Sequence, residues 1–397
     1  MADRNTLTAA FADLLTTIEA TAAHLESQPF YAEGENRVGA YLFLLGDLIS
    51  RFEEAVIFDA EFPSPRVLDT RIREGGDNPD QRYLFSNILG SATYRIWGRL
   101  GAARRVDLQI YAGTPYIAGS GGRAASFFTF EQMHVEADGY FEVIASPEPQ
   151  AGNWIENLPD ATRIIVRQIY SDWTDAWPGE VHIDRIGAEG DLRPALTEGV
   201  LIERMQRAAK SIADHGQWWP EHVIRHYLSR NRPNRISPPF DPGAVGGVWG
   251  RYMCSAVFEL DPDEALVLRT WPMDGNYQGT QLTDMWFSSL EYANRQTSLT
   301  GDQSFLSSDG SYYSALAPSH LGIANWLDTI GRRRGVILLR FDGMSEPFDP
   351  AKNPVATVVK LASLREDLPA DTPVVTATER AQAIAARRRQ VQVRFSH

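Results

Sequence analysis

Leu108-Gln109-Ile110 and Thr280-Gln281-Leu282, with Asn153-Trp154-Ile155 and Asn325-Trp326-Leu327, decide the fold. The two glutamines lie 172 residues apart, and so do the two tryptophans. Asp138-Gly139 and Asp309-Gly310 repeat at 171, Val166-Arg167 and Leu339-Arg340 at 173. Four landmarks keeping order and spacing to within one residue mark a unit duplicated in tandem. Each copy reads as a Gln-bearing strand, an excursion, an Asp-Gly turn, an aromatic strand, an Asn-Trp corner and a buried strand ending in Arg. That is a small antiparallel sandwich or jelly roll. The Asn is suited to tying the corner by bonding backbone, and the Trp to filling the core.

Strand periodicity surrounds these landmarks. Tyr94, Ile96, Val106, Leu108 and Ile110 alternate with polar residues, and Asp138-Gly139 precedes Tyr140, Phe141, Val143 and Ile144. Ile164, Ile165, Val166 and Ile169 read as a buried strand, and strand-like sequence resumes from Tyr252 to about Arg340. Helical spacing occurs before, between and after the copies. Leu7, Phe11, Leu14, Leu15 and Ile18 form one stripe, and Val38, Tyr41, Leu42, Leu45, Ile49 and Phe52 a second. Leu201, Met205, Ala208, Ala209 and Ile212 form a third, and Pro220 suits the first turn of a further helix. Short helices are expected near Ala356–Arg365 and Ala377–Arg389, then a last strand at Val391, Val393 and Phe395. The expected fold is mainly β with flanking helices (α+β), with two duplicated jelly-roll or β-sandwich units. The segments are 1–62 helical, 63–190 first unit, 191–240 helical insert and Pro-rich linker, 241–350 second unit, and 351–397 C-terminal helices and strand.

Composition narrows the function. A net charge of −13 leaves no excess cation to displace counterions, which argues against nucleic acid or an anionic membrane as partner. Arg387-Arg388-Arg389 suits the C-terminal dipole of a helix. A single cysteine, Cys254, excludes an internal disulfide and a Cys-based zinc site. Residues 1–5 lack the plan of a signal peptide and no apolar run is long enough to cross a bilayer, so a cytoplasmic setting is expected. Ten Trp, fourteen Tyr and eighteen Phe suit either a β core or a pocket for apolar or sugar-like ligands.

The second copy carries Asn276-Tyr277-Gln278-Gly279-Thr280-Gln281-Leu282-Thr283-Asp284-Met285-Trp286 and continues through Glu291-Tyr292-Ala293-Asn294-Arg295 to Leu299. With Asp309-Gly310 and Asn325-Trp326-Leu327-Asp328-Thr329, this run resembles the domain of unknown function DUF1214, often paired with a DUF1254 domain, over roughly residues 260–345. Asp77-Asn78-Pro79-Asp80-Gln81-Arg82-Tyr83 also resembles an opening found in relatives lacking a full DUF1254 part. The resemblance implies a jelly-roll-like β fold and brings no agreed activity.

Common catalytic signatures are missing: no Gly-x-Ser-x-Gly elbow, no phosphate-binding loop with its Lys, no dinucleotide fingerprint and no His-Glu-x-x-His helix. No organic cofactor is therefore expected. Gly119-Ser120-Gly121-Gly122 reads as a flexible loop or lid. His222 and His226 have the spacing to share a metal but show no third ligand, so no metal is assigned. His134 and Glu136 fall on one face of a strand; lining a cavity, His134 would be a general base tuned by Glu136, and facing water both would be surface groups.

The densest polar run supplies the expected site. Asp284 and Glu291 can act as acid or base if desolvated, and Tyr292 can donate to a leaving oxygen. Arg295 offers a forked donor to an anion, or alternatively locks the segment against the sheet. Gln281, Asn294 and Trp286 would contact substrate, joined from the first copy by Gln109 and Phe128 across a pocket shared between copies. The expected function is acid/base chemistry by a lyase, isomerase or hydrolase on a small hydroxylated, partly apolar or aromatic metabolite. The alternatives are a non-catalytic module binding carbohydrate or phosphorylated polyols, and a scaffold pairing into homo-oligomers.

Overall fold

The computed structural model describes residues 6–114, 122–174, 176–229, 232–241 and 250–395. Residues 1–5, read above for an export signal, and 119–121 of the Gly-rich loop lie outside them. Two helices, α1 (Leu7–Glu26) and α2 (Gly34–Phe52), open the fold. The first unit comprises β1 (Arg66–Leu68), β2 (Gln81–Asn87), β3 (Tyr94–Arg99), β4 (Arg105–Ala112), β5 (Arg123–Phe128), β6 (Tyr140–Ser146), β7 (Trp154–Glu156), β8 (Ala161–Ile169) and β9 (Glu180–Arg185). Helix α3 (Glu198–Val223) leads to β10 (Arg251–Glu259), β11 (Glu264–Thr270), β12 (Tyr277–Thr283), β13 (Ser298–Thr300), β14 (Tyr312–Ala317), β15 (Trp326–Asp328), β16 (Arg334–Asp342) and β17 (Val355–Lys360). Helix α4 (Ala377–Phe395) closes the described chain.

Topology establishes the duplication. One sheet of the first unit runs β1-β2-β8-β4-β5 and its partner β7-β6-β3-β9. The second unit repeats both, as β10-β16-β12-β13 and β15-β14-β11-β17, with an isolated Phe240–Met253 bridge on β10 where β1 pairs with β2. Register repeats as well: Gln109 lies opposite Ile165, and Gln281 opposite Leu338. Alternation turns one face of each sheet into its sandwich. Leu108, Val166, Ile96 and Val143 fill the first core, and Leu282, Leu339, Leu268 and Leu316 the second. Each such side chain contributes on the order of 1.5–3 kcal/mol when withdrawn from water.

The Asn-Trp corner works as expected for Asn and only partly for Trp. Asn153 Nδ2 donates to the carbonyls of His134 and Glu142 while its Oδ1 accepts the His134 amide. Asn325 makes the same two-way bond with the backbone of Phe305. The main core is filled instead by the next residue, Ile155 or Leu327. Trp154 is half-buried, and Trp326 packs in a satellite cluster with Ile323, Val359 and Leu364.

Four local expectations are corrected. Pro220 does not start a helix; α3 runs through it into a π-helical turn at Ile224–Leu228. Residues 356–360 form the edge strand β17 paired with β11 rather than a helix, and Leu361–Asp367 follow as a 3-10 segment. Val391, Val393 and Phe395 belong to α4. Arg387 does not serve a helix end: Arg380, Arg387 and Arg394, seven apart on one buried face, donate to carbonyls of Ile323, Tyr292 and Pro79. Three guanidiniums thus clasp α4 across both units.

The outer faces of the two central sheets meet the helices. Leu14, Phe30, Phe43, Leu44, Ile212 and Trp219 pack with Trp286, Val257 and Leu338 on the outer face of the β10-β16-β12-β13 sheet. Helix α2 does so with its small and polar side: Asn36, Gly39, Gly46, Asp47, Ser50 and Arg51 are buried. A Cβ on Gly39 would lie 2.9 Å from the Trp286 ring, and one on Gly46 2.9 Å from the Arg71 carbonyl. The apolar stripe read from sequence therefore points outward, with Val38, Leu42 and Leu45 more than half exposed. No helix among the described residues is long and apolar enough to cross a membrane.

Candidate functional site

Of the polar run after β12, Asp284 and Glu291 line one cavity, whereas Tyr292, Asn294 and Arg295 do not. Asp284 is buried and its Oδ1 accepts the amides of Trp286 and Ser288, a self-closing turn. Burial raises its pKa, opposed by the Arg332 guanidinium. Glu291 spends its carboxylate on the amides of Ala293 and Asn294 and on the Asn294 side chain. Tyr292 sits in an apolar cluster with Trp173 and Val391, and burial holds its phenol well above the usual range. Arg295 is the sheet lock: its half-exposed side chain donates to buried Asp328 at 2.7 Å. Exposed Asn294 accepts from Arg388. Trp286 is fully enclosed between Phe30 and Phe43 and donates to the Asn36 carbonyl at 2.8 Å. Phe128 belongs to the first core, and Gln109 is buried on β4. His134 lies at the surface, its side chain 78% exposed, 3.4 Å from Glu136. The bonds of Asp284 and Glu291 share a cause: short polar side chains in an irregular segment satisfy its own backbone before they reach a ligand.

Gln281 leads to the better site. It donates to the Asp77 carbonyl at 2.8 Å and accepts from Arg340, whose guanidinium also holds the Gly76 carbonyl. Gly75 and Gly76 take φ of +69° and +64°, and Phe287, against which Gly76 packs, takes +62°. A non-glycine residue in that region is strained, and strain persists where the surroundings fix it. Clamped in this way, residues 74–77 pass from the second unit over the outer face of the first.

Under that loop is a cavity of about 110 Å³ lined by Leu68, Glu74, Gly75, Asp77, Tyr83, Phe85, Arg163, Ile165, Arg167, His215 and Trp219. Asp77 is buried, and Ser289 donates to it through both amide (2.9 Å) and hydroxyl (2.7 Å). Burial outweighs these bonds and lifts its pKa to about 6. Arg167, on β8, is 7% exposed. Its Nη1 has no hydrogen-bond acceptor, it forms no ion pair with a described residue, and its guanidinium stands 5.9 Å from the Tyr83 ring centroid. Arg163, beside it, is ion-paired to Glu54.

Behind Glu74 the charges are paired with one another. Arg51 reaches Asp47 (3.2 Å), Glu74 (2.7 Å) and His215 Nε2 (3.1 Å). Burial pushes Asp47 well up and His215 down to about 4, whereas Arg51 and His215 hold Glu74 below its ordinary value against the cost of burial. Asp47, Glu74 and His215 have donor atoms within 4.8 Å of one another, the one such group of three among the described residues that fits a metal ion. Arg51 already occupies the centre of that charge. The rings of His222 and His226 instead lie tilted to each other with centroids 4.6 Å apart, His222 against Phe287 and its pKa lowered by burial to about 4.

The site thus defines a class: a tandem β-sandwich protein with a small polar cavity on the outer face of its first unit, closed by a loop anchored in the second. No protein-family model and no curated protein matches this chain. It is similar to a solved, uncharacterized protein from Burkholderia cenocepacia, at 27% identity over 89% of this chain and 98% of that one, with a TM-score of 0.81. The VPA0106 protein from Vibrio parahaemolyticus is 12% identical over 81% of this chain and 98% of its own, with a TM-score of 0.46. Procruciferin, an 11S globulin from Brassica napus, is 11% identical over 85% and 92%, with a TM-score of 0.19. At those two scores neither likeness bears on the fold.

Proposed function

We propose that the protein is a cofactor-independent enzyme of the lyase, isomerase or hydrolase type, working by acid/base chemistry on a small hydroxylated metabolite that carries a carboxylate or phosphate. The single observation that carries this reading is the Arg167 guanidinium, which lines one cavity with Asp77 and forms no ion pair with a described residue. A buried charge left unpaired is costly, and a ligand anion removes the cost. Asp77, with a pKa of about 6, exists in both forms near neutrality and can take or return a proton at a bound hydroxyl or an acidic C–H. Ser289 fixes the carboxyl's orientation. The volume, on the order of four waters at about 30 Å³ each, suits a compact substrate or the reacting end of a larger one.

Non-catalytic capture of a sugar or phosphorylated polyol is the second reading, favoured by the Tyr83, Phe85 and Trp219 rings on the cavity wall. Membership in the DUF1214 group, a cytoplasmic setting and homo-oligomers belong to the same proposal. A thermal-shift screen of short carboxylates and phosphate monoesters, followed by mass spectrometry of each hit for conversion, tests it. Turnover should require Asp77, with a kcat/KM inflection near pH 6 that Asp77→Asn abolishes. Hits that need Arg167 but never convert establish the binding reading instead, and hits indifferent to Arg167→Gln refute both.

A further inference from the structure

A second cavity lies on the other side of the Asp77–Ser289 pair, between α2 and the loop after β12. Its volume is about 310 Å³, at the lower end of the roughly 300–1,000 Å³ of small-molecule clefts. One wall is apolar: Leu42, Leu45 and Ile49 of α2 expose 53%, 57% and 39% of their surface. The other is polar: Arg71, Arg73 and Arg332 stand there with Ser288 and with the carboxyls of Asp284 and Glu291, the latter taken up by the Ala293 and Asn294 amides. The guanidiniums differ in their commitments. Arg71 at the rim is paired with Asp69 at 2.7 Å. Arg332 donates to Asn36 at 2.8 Å and lies 3.9 Å from Asp284. Arg73 is half-buried, donates to the Ser289 carbonyl at 3.0 Å, and forms no ion pair among the described residues. The carboxyls whose charge it feels, Asp77 and Asp284, are both pushed by burial toward their neutral forms.

We propose that this groove binds a free amphipathic acid, a medium-chain carboxylate or its phosphate analogue, with the anionic head on Arg73 and the apolar chain along Leu42, Leu45 and Ile49. Charge complementarity selects the occupant, because a neutral or cationic amphiphile leaves the guanidinium without a counter-ion while covering the same leucines. The outward apolar face of α2 then has a use: it is the wall of a ligand site.

The test is calorimetric titration of the full chain with octanoate, octanol, octylamine and acetate. Octanoate should bind saturably at one site, and the other three should bind at least tenfold more weakly. Arg73→Gln should weaken octanoate by roughly ten- to a hundredfold, the usual worth of a charge-assisted hydrogen bond. Leu45→Glu, at an exposed position, should abolish binding by placing like charge on the wall. Arg167→Gln should leave octanoate binding unchanged, so failure here and failure of the cavity proposal are distinguishable. Equal affinity for octanol and octanoate, unaltered binding by Arg73→Gln, or no saturable octanoate binding below 10 mM, on the order of the weakest affinities expected of a small ligand, would each overturn the proposal.

Discussion

Replacing Arg167 by Met should make the protein more stable and deaf to its ligand. A buried ion without a partner costs several kcal/mol even after relaxation. Met keeps most of the stem's apolar volume, so little is lost to a void. The substitution forfeits a weak cation–π contact with Tyr83, about 0.5–1 kcal/mol at 5.9 Å. The expected net is a gain of about 1–3 kcal/mol. With about 2.1 cal/mol/K of unfolding entropy per residue over 397 residues, that is a rise of roughly 1–4 °C in Tm if the chain melts cooperatively. The assay is urea denaturation and differential scanning calorimetry at pH 7, with and without a carboxylate hit at about a hundred times its Kd. The wild type should gain about 2.7 kcal/mol from ligand and the variant nothing. A variant less stable than the wild type, with an undiminished ligand response, would refute the reasoning, because Arg167 would then be a structural residue with partners.

Other outcomes follow from the same physics. His215 is neutral in the fold, with its pKa depressed from 6.5 to about 4, so the stability it supports is full above pH 6.5 and is lost as pH falls toward 4, on the order of 3 kcal/mol. Asp77, raised from 3.8 to about 6, acts oppositely: the cost of its ionisation grows as pH rises through that window and is complete above about 6. His215→Gln should therefore flatten the acid limb of a stability–pH curve, and Asp77→Asn should remove the decline toward neutrality. Asn153→Ala and Asn325→Ala should each cost about 1–3 kcal/mol in urea titrations, because equivalent corners lose equivalent backbone partners. Gly76→Ala should cost more than about 3 kcal/mol, since a Cβ meets the Phe287 ring at 2.7 Å in a left-handed conformation. Arg295→Ala should leave ligand responses at both cavities unchanged and destabilise by about 1–3 kcal/mol, measured by the same melts, because it takes the counter-ion from the buried Asp328 carboxylate.

The repeat was legible because a β-sandwich spaces its landmarks by strand and turn lengths that tolerate little drift. Gln109 and Gln281, and Asn153 and Asn325, occupy equivalent places for that reason. The helices were legible in extent but not in orientation. Apolar periodicity assumes that the core is apolar, and α2 buries glycines and an Arg51–Asp47 pair beside Phe43 and Leu44. At the C-terminus, Val391, Val393 and Phe395 alternate like a strand, yet the seven-residue spacing of Arg380, Arg387 and Arg394 governs, because each guanidinium finds carbonyls only if α4 continues. The site escaped for a related reason. Glu74 and Asp77 come from one loop, Arg167 from β8 and His215 from α3, with no shared motif, whereas Asp284 to Arg295 crowded into one segment whose polar groups serve that segment.

One signal for the site was nevertheless present in the duplication itself. Arg167 and Arg340 occupy the same place, on β8 opposite Asp107 and on β16 opposite Gly279. In the second unit the guanidinium is answered from within, by Gln281 and the Gly76 carbonyl, and the loop carrying Asp77 lies on it as a plug. No described residue caps Arg167 in the same way; it remains in a cavity that the shared loop lines with Asp77. A structural arginine in one copy thereby becomes available as an anion receptor in the other. The two can be separated by experiment: Arg340→Met strips donors from two buried acceptors and should destabilise by several kcal/mol, whereas Arg167→Met should not. If both variants lose stability alike, the copies are equivalent and the asymmetry that makes a site of one of them is gone.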